Sequence, residues 1–390
     1  MKIIAALLVT VVTAAADELL NLERPVSEQG PDKSFPDGNN GGTSETGRIF
    51  HSSVWTGKEV IVWGGGADGI FHANGWRLDP EQHSRRAVAT EGAPAGRWCH
   101  AGVWTGSRML VWGGRDQFVS AQHKGDGAAY DPAGDTWKPM NKDGAPEPRS
   151  QMAAVWTGSE MIVWGGYGDG QKAWDSGARY HPGHDRWTPL PAEGAPEARI
   201  EPATVWTGSE MIVWGGITPD LKRTLPSGAR YNPATNQWTA MNHFGPALGT
   251  WGCQAVWTGT EMLIWGGAVQ NGDENINHVT NEGAAYNPAT NSWRSLTKEG
   301  APAARFFHTT VWTGSSMIVW GGGDQKDSRS FNDGAEFFPS ENRWQPLDGD
   351  GAPPARGMHT ATWTPQGMVV FGGSTGGSSA FSGPDFFVRR

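Results

Sequence analysis

The sequence predicts an all-β fold made of one four-stranded sheet repeated seven times and closed into a ring. Three observations predict it. First, the unit V-W-T-G, followed by an apolar run ending W-G-G, recurs along the chain. Its first tryptophans are Trp55, Trp104, Trp156, Trp206, Trp257 and Trp312, and a degenerate seventh copy holds Trp363 and ends Phe371-Gly372-Gly373. Second, the copies recur about every 50 residues, the period of a propeller blade. Third, glycine is abundant, at 56 of 390 residues, with no collagen-like period, which fits many tight hairpins.

Each copy reads as four strands in order. The stretch before Thr-Gly, such as His308 to Trp312, is the first strand, and Thr-Gly is its hairpin. The apolar run, such as Met161 to Trp164, is the second, with apolar residues on both faces because neighbouring blades cover both. The third is G-A-R-Y-N-P or a variant, such as Gly228 to Pro233. The fourth begins at a tryptophan five residues after that proline: Trp137, Trp187, Trp238, Trp293 and Trp344, with Arg85 at this position in the first copy. The chain ends on a third strand, Asp385 to Val388, with no fourth after it. Leu19 to Val26 is the expected missing strand, so that the termini share the last blade and leave no open sheet edge.

The N-terminus reads as a secretion signal over residues 1–16: Lys2, an apolar run from Ile3 to Val12, and Ala14-Ala15-Ala16 before Asp17. Residues 17–390 then form one propeller domain, secreted or periplasmic. The apolar run is too short for a membrane span, and no other segment is long enough. A net charge of −9 argues against nucleic acid as a partner. Cys99 and Cys253 fall in the second and fifth copies, too far apart in a ring for a disulfide, and are expected to be unpaired.

The double glycines, the tyrosine ahead of the third-strand proline and the fourth-strand tryptophan resemble the kelch repeat over nearly the whole mature chain. The resemblance implies a seven-bladed kelch-type β-propeller. It says little of function, because kelch propellers serve as oxidases, isomerases, lyases and interaction modules.

The repeat itself sorts the candidates. The loops joining strands two to three and four to one share one face and vary most, so function is expected there. All but four of the 22 tryptophans are repeat residues; Trp76, Trp98, Trp174 and Trp251 are not. Four of the five tyrosines sit on third strands, while Tyr167 follows Gly165-Gly166. His51, His100, His308 and His359 share one position, whereas His72, His123 and His278 stand outside the repeat. Arg48, Arg97, Arg149, Arg199, Arg305 and Arg356 form a ring broken by Thr250, a positive field suited to anions.

His100, His123, Tyr167 and Arg179, from the second and third copies, are the candidate catalytic set. Arg97, Trp98, Arg115, Trp174 and Trp251 are the candidate substrate-binding residues. Arginine, tyrosine and histidine suit β-elimination on a uronic acid: a cation neutralises the carboxylate, a base takes the adjacent proton and an acid protonates the leaving oxygen. The order His, His, Tyr, Arg resembles the propeller polysaccharide lyases of the ulvan lyase type. The expectation is an exported carbohydrate-active propeller, a lyase on an anionic polysaccharide, acting as a monomer. The competing reading is a non-catalytic propeller that binds a glycan or protein. Galactose oxidase chemistry needs more spare tyrosines than Tyr167 supplies. No cofactor is called for, although polar loops such as Asn271 to Asn277 have the oxygen-rich composition of a structural Ca²⁺ site and histidines could hold zinc.

Overall fold

A computed structural model describes residues 47–117, 122–243, 249–271, 278–324, 329–375 and 380–387. Every regular element within them is a strand. Blade one is Ser52–Trp55, Val60–Trp63, Gly75–Asp79 and Ser84–Ala87, each strand antiparallel to the next. Blades two to six repeat this order, as in Ala153–Trp156, Met161–Trp164, Gly177–His181 and Arg186–Pro189 of blade three.

The last repeat forms a three-stranded sheet of Thr360–Thr364, Gly367–Phe371 and Pro384–Phe387. This corrects the expectation of seven complete blades: six are complete. The strand expected to finish the seventh, Leu19 to Val26, lies outside the described residues, as does the signal segment 1–16. The first strands contact one another in order around the ring, and Thr360–Thr364 touches both Thr309–Trp312 and Ser52–Trp55. No helix among the described residues is long and apolar enough to cross a membrane.

Second strands are buried along their whole length, as expected for strands covered on both faces. Each ends in a tryptophan that is 0–1% exposed, such as Trp164 and Trp214. At about 25 cal/mol per Å² and ~150–250 Å² per ring, each contributes on the order of 4–6 kcal/mol. Fourth-strand tryptophans latch one blade to the previous one: the indole N–H of Trp187 donates to the Asn141 carbonyl at 2.9 Å, and that of Trp344 to the Thr297 carbonyl at 2.9 Å. Third-strand tyrosines close their own hairpins, as Tyr180 does by donating to Asp185 at 2.6 Å.

The arginine ring has a structural task. Each guanidinium donates from Nη1 to the first carbonyl of its own double glycine: Arg97 to Gly113 at 3.0 Å, Arg149 to Gly165 at 3.0 Å and Arg199 to Gly215 at 2.9 Å, with Arg48, Arg305 and Arg356 doing the same. The glycines are required here. Gly113 and Gly114 have φ of 70° and 94°, and a Cβ on Gly114 would lie 2.8 Å from the Trp98 carbonyl.

The repeated histidines stitch neighbouring blades. His51 meets Thr360 at 2.8 Å, His100 meets Ser52 at 2.7 Å and His359 meets Thr309 at 2.8 Å, while His308 packs edge-on against Trp265. Burial pushes all four pKa values down, to about 3 for His100 and His308. In the unfolded chain each titrates near 6.5. Their neutral form therefore stabilises the fold fully above that pH, and the contribution is lost as pH falls below it toward the folded values. Thermal melts should show Tm dropping between about pH 6.5 and about pH 4. A flat Tm across that interval would contradict the assignment.

Candidate functional site

The residue just before the repeated histidine position is Phe50, Cys99, Gln151, Glu201, Gly252, Phe307 or Met358, depending on the repeat. All seven are left-handed, with φ between 52° and 65°. A non-glycine residue in that region costs on the order of 1 kcal/mol, so something must hold it there. Hydrogen bonds between blades do so: the N–H of Cys99 donates to the Phe50 carbonyl, Gln151 to Cys99, Glu201 to Gln151, Phe307 to Gly252, Met358 to Phe307 and Phe50 to Met358. These residues form a belt that links neighbouring blades around the ring.

The residue after each double glycine forms a second layer against the belt. It pairs with the residue preceding the belt position: Trp98 with Arg115, Ser150 with Tyr167, Ile200 with Ile217 and Trp251 with Ala268. Polar side chains in the two layers coincide on blades two to four, as Cys99, Gln151 and Glu201 in the belt and Arg115 and Tyr167 above it. The remaining belt positions are apolar. Phe50 and Phe307 meet edge-on across the ring at 5.6 Å, next to Met358 in the sequence of belt bonds. One arc of the belt is polar and ionisable, and the other is aromatic.

Arg115 is 4% exposed. Its guanidinium stacks over Trp98 at 4.5 Å. It pairs with no carboxylate among the described residues, and its Nε has no hydrogen-bond partner there. Burial lowers its pKa, opposed by Cys99, Tyr167 and Glu201 nearby. The same burial raises the Tyr167 hydroxyl, with Arg115 pulling it back.

His123 packs edge-on against Tyr167 at 5.4 Å. Its Nδ1 lies 2.8 Å from Asp169 Oδ1, and Asp169 also accepts the His123 backbone N–H at 3.2 Å. Burial lowers the His123 pKa, which Asp169 partly offsets, while His123 lowers the Asp169 pKa. The ring is therefore neutral at pH 7, with the proton on Nδ1 assigned from the bond to Asp169. That leaves the buried Nε2 lone pair without a partner among the described residues. Glu201 is raised to about 7 by burial, with Arg115 and the Gln151 side chain opposing. Gln151 Oε1 and Glu201 Oε2 have no hydrogen-bond partner among the described residues.

The expected catalytic residues are thus only partly brought together. His123 and Tyr167 are neighbours. His100 lies behind them, between Trp63 and Ser52, engaged in blade packing. Arg179 is on the other side of the propeller: its Nη1 donates to the Pro233 carbonyl at 3.0 Å and lies 3.6 Å from Glu160, both on the hairpin face. Arg77 and Arg230 bind the next blade's proline carbonyl in the same way, so this is a repeat position.

Among the expected binding residues, Arg115 faces the site. Arg97 donates to the carbonyls of Ala95, Gly113 and Asp126 and pairs with the Asp126 carboxylate, although its Nη2 has no hydrogen-bond partner among the described residues. Trp98 and Trp251 are 0% and 4% exposed, so neither offers a stacking face. Trp174 is half-buried beneath Lys172 and Arg149. Glu201, Gln151 and Asp169 were not among the expected site residues; aligning the belt column across the repeats would have shown its polar run.

Cys99 and Cys253 are free thiols, pushed by burial to about 12 and about 11 and so unreactive. Among the described residues no three His, Cys, Asp or Glu side chains are grouped to hold a metal. Most of the Asn271 to Asn277 loop lies outside them.

No curated protein matches the chain. A family model, the KLHDC2/KLHL20/DRC7 Kelch-repeats domain, matches residues 50–249 and 252–387. With that match across most of its length and the blades described above, the chain belongs to this kelch-repeat family.

Proposed function

We propose that the chain is an exported carbohydrate-active propeller that cleaves a uronate-containing anionic glycan by β-elimination at the belt on blades two to four. The observation that carries this reading is the buried Arg115 guanidinium, which has no carboxylate partner among the described residues, beside a neutral His123 whose buried Nε2 has no hydrogen-bond partner there. Arg115 takes the charge-neutralising role first expected of Arg179. It binds the uronate carboxylate and so acidifies the adjacent C–H. His123 Nε2 takes that proton, with its ring oriented through Asp169. The electron pair of the broken C–H bond forms a carbon–carbon double bond, the bond to the leaving oxygen breaks, and the Tyr167 hydroxyl supplies that oxygen's proton.

Export rests on Lys2, the run from Ile3 to Val12 and the Ala14-Ala15-Ala16 site. Closure of the ring by Leu19 to Val26 beside Pro384–Phe387 belongs to the same proposal. A second reading draws on the burial of Tyr167 and His123, which are 5% and 7% exposed. Under it, the site holds a small carboxylate ligand without turning it over.

Incubation with a panel of uronate polysaccharides separates the two. The unsaturated product absorbs in the near ultraviolet, and absorbance should rise with at least one polymer and stop rising in Tyr167→Phe. No response from any uronate substrate, with monomeric uronate still bound, would favour the binding reading and overturn the lyase.

A further inference from the structure

We infer that Glu201 and Gln151 form a second half of this site and accept hydrogen bonds from hydroxyl groups of the same small ligand whose anionic group Arg115 holds. The ligand class is then a hydroxy acid, not a simple carboxylate. The inference rests on the reading of Arg115 as the anion receptor.

The belt places the two side chains on adjacent blades, joined by the Glu201 N–H donating to the Gln151 carbonyl at 2.9 Å. Their left-handed backbones belong to the belt that links neighbouring blades. Both are only partly accessible. Each carries a buried oxygen with no hydrogen-bond donor among the described residues, Gln151 Oε1 and Glu201 Oε2. A buried acceptor left unmatched is costly, so it selects a ligand that brings a donor. Arg115 above them is the matching cation for an acid group.

The groups facing Glu201 are Arg115 and Cys99 of blade two, Gln151 of blade three and Cys253 of blade five. Arg115 is the only cation in this set. The opposite side of the belt supplies Phe50, Phe307 and Met358, an apolar wall suited to the C–H face of a sugar ring.

Site selectivity follows from the position of the acid. An anion bound beside Glu201 favours the carboxylic acid form, so ligand binding takes up a proton. Affinity should fall as pH rises through about 7, where Glu201 ionises. The protonated form can both donate to and accept from a hydroxyl.

The test is calorimetric titration of the full chain with galacturonate and with cyclohexanecarboxylate. The two acids match in ring size and charge, but only the first carries hydroxyls. Galacturonate should bind about tenfold or more tightly, the worth of one charge-assisted hydrogen bond. Glu201→Met and Gln151→Met should each reduce that preference, and Met358 and Phe307 occupy the same column, so the belt accepts these side chains. Glu201→Gln should keep the preference and lose the pH dependence. Equal affinity for the two acids, or a preference untouched in Glu201→Met and Gln151→Met, would overturn the inference. Arg115→Gln reports separately on the underlying reading, because it should weaken both acids alike. If it weakens neither, or if neither acid binds the native chain, that reading fails and this inference with it.

Discussion

Arg199→Ala should destabilise the chain by about 3–5 kcal/mol, from the loss of several buried hydrogen bonds at once. Its guanidinium is 0% exposed and serves the carbonyls of Glu197, Gly215 and Ser227 at 2.9, 2.9 and 2.6 Å, with the Ser227 hydroxyl at 3.2 Å. Alanine would leave the Glu197 and Gly215 carbonyls without this donor, while the Ser227 carbonyl would keep only the Gly215 N–H at 3.1 Å. Urea denaturation should show a lower midpoint with an unchanged slope. Arg343→Ala is the control, because its pair with Glu341 is exposed and should shift the midpoint little. An Arg199→Ala midpoint equal to that of the native chain would show that the arginine ring is not structural. Thr250 breaks the ring in blade five, so the fold tolerates one missing guanidinium where its surroundings have adapted.

His123→Ala should lower the elimination rate by about 10²–10⁴-fold, the range for loss of a positioned general base. Uronate binding should change much less, because Arg115 carries the carboxylate. The rate effect should therefore fall on kcat, not KM. Asp169→Asn should act through His123 by weakening the orientation of the Nδ1–H. Its effect should be smaller, since Asp169 is largely solvent-exposed, with 64% side-chain exposure. Progress curves for His123→Ala that match the native chain would remove His123 from the chemistry.

The repeat made most of the scaffold readable in advance. Val-Trp-Thr-Gly, the double glycines and the third-strand tyrosines each mark a position where backbone geometry or interblade packing admits few residues. Their recurrence therefore reports strands directly. The closing blade was harder, because no repeat residue marks a fourth strand for its three-stranded sheet. Trp98 and Trp251 looked like exposed sugar platforms because they depart from the repeat. In the fold they fill the space behind the belt, Trp98 under Arg115 and Trp251 against Phe306 and Phe307. Departure from a repeat thus marks a change in packing as readily as a ligand contact.

Arg179 misled for the opposite reason. Its type suited the chemistry, but strand direction carries it to the hairpin face beside Pro233. Tyr167 and His123 were legible because no other repeat has a tyrosine or histidine at their positions. Glu201 and Gln151 were not, since a carboxylate on a loop is ordinary until the left-handed belt places it beside Gln151 on the next blade.

The most direct measurement is a crystal structure of the chain soaked with a short uronate oligosaccharide. The account predicts one uronate ring over blades two to four. Its carboxylate should lie on the Arg115 guanidinium, the adjacent C–H within reach of His123 Nε2, and a hydroxyl on Glu201 or Gln151. An oligosaccharide bound on the hairpin face, with Arg115, His123 and Tyr167 untouched, would contradict it.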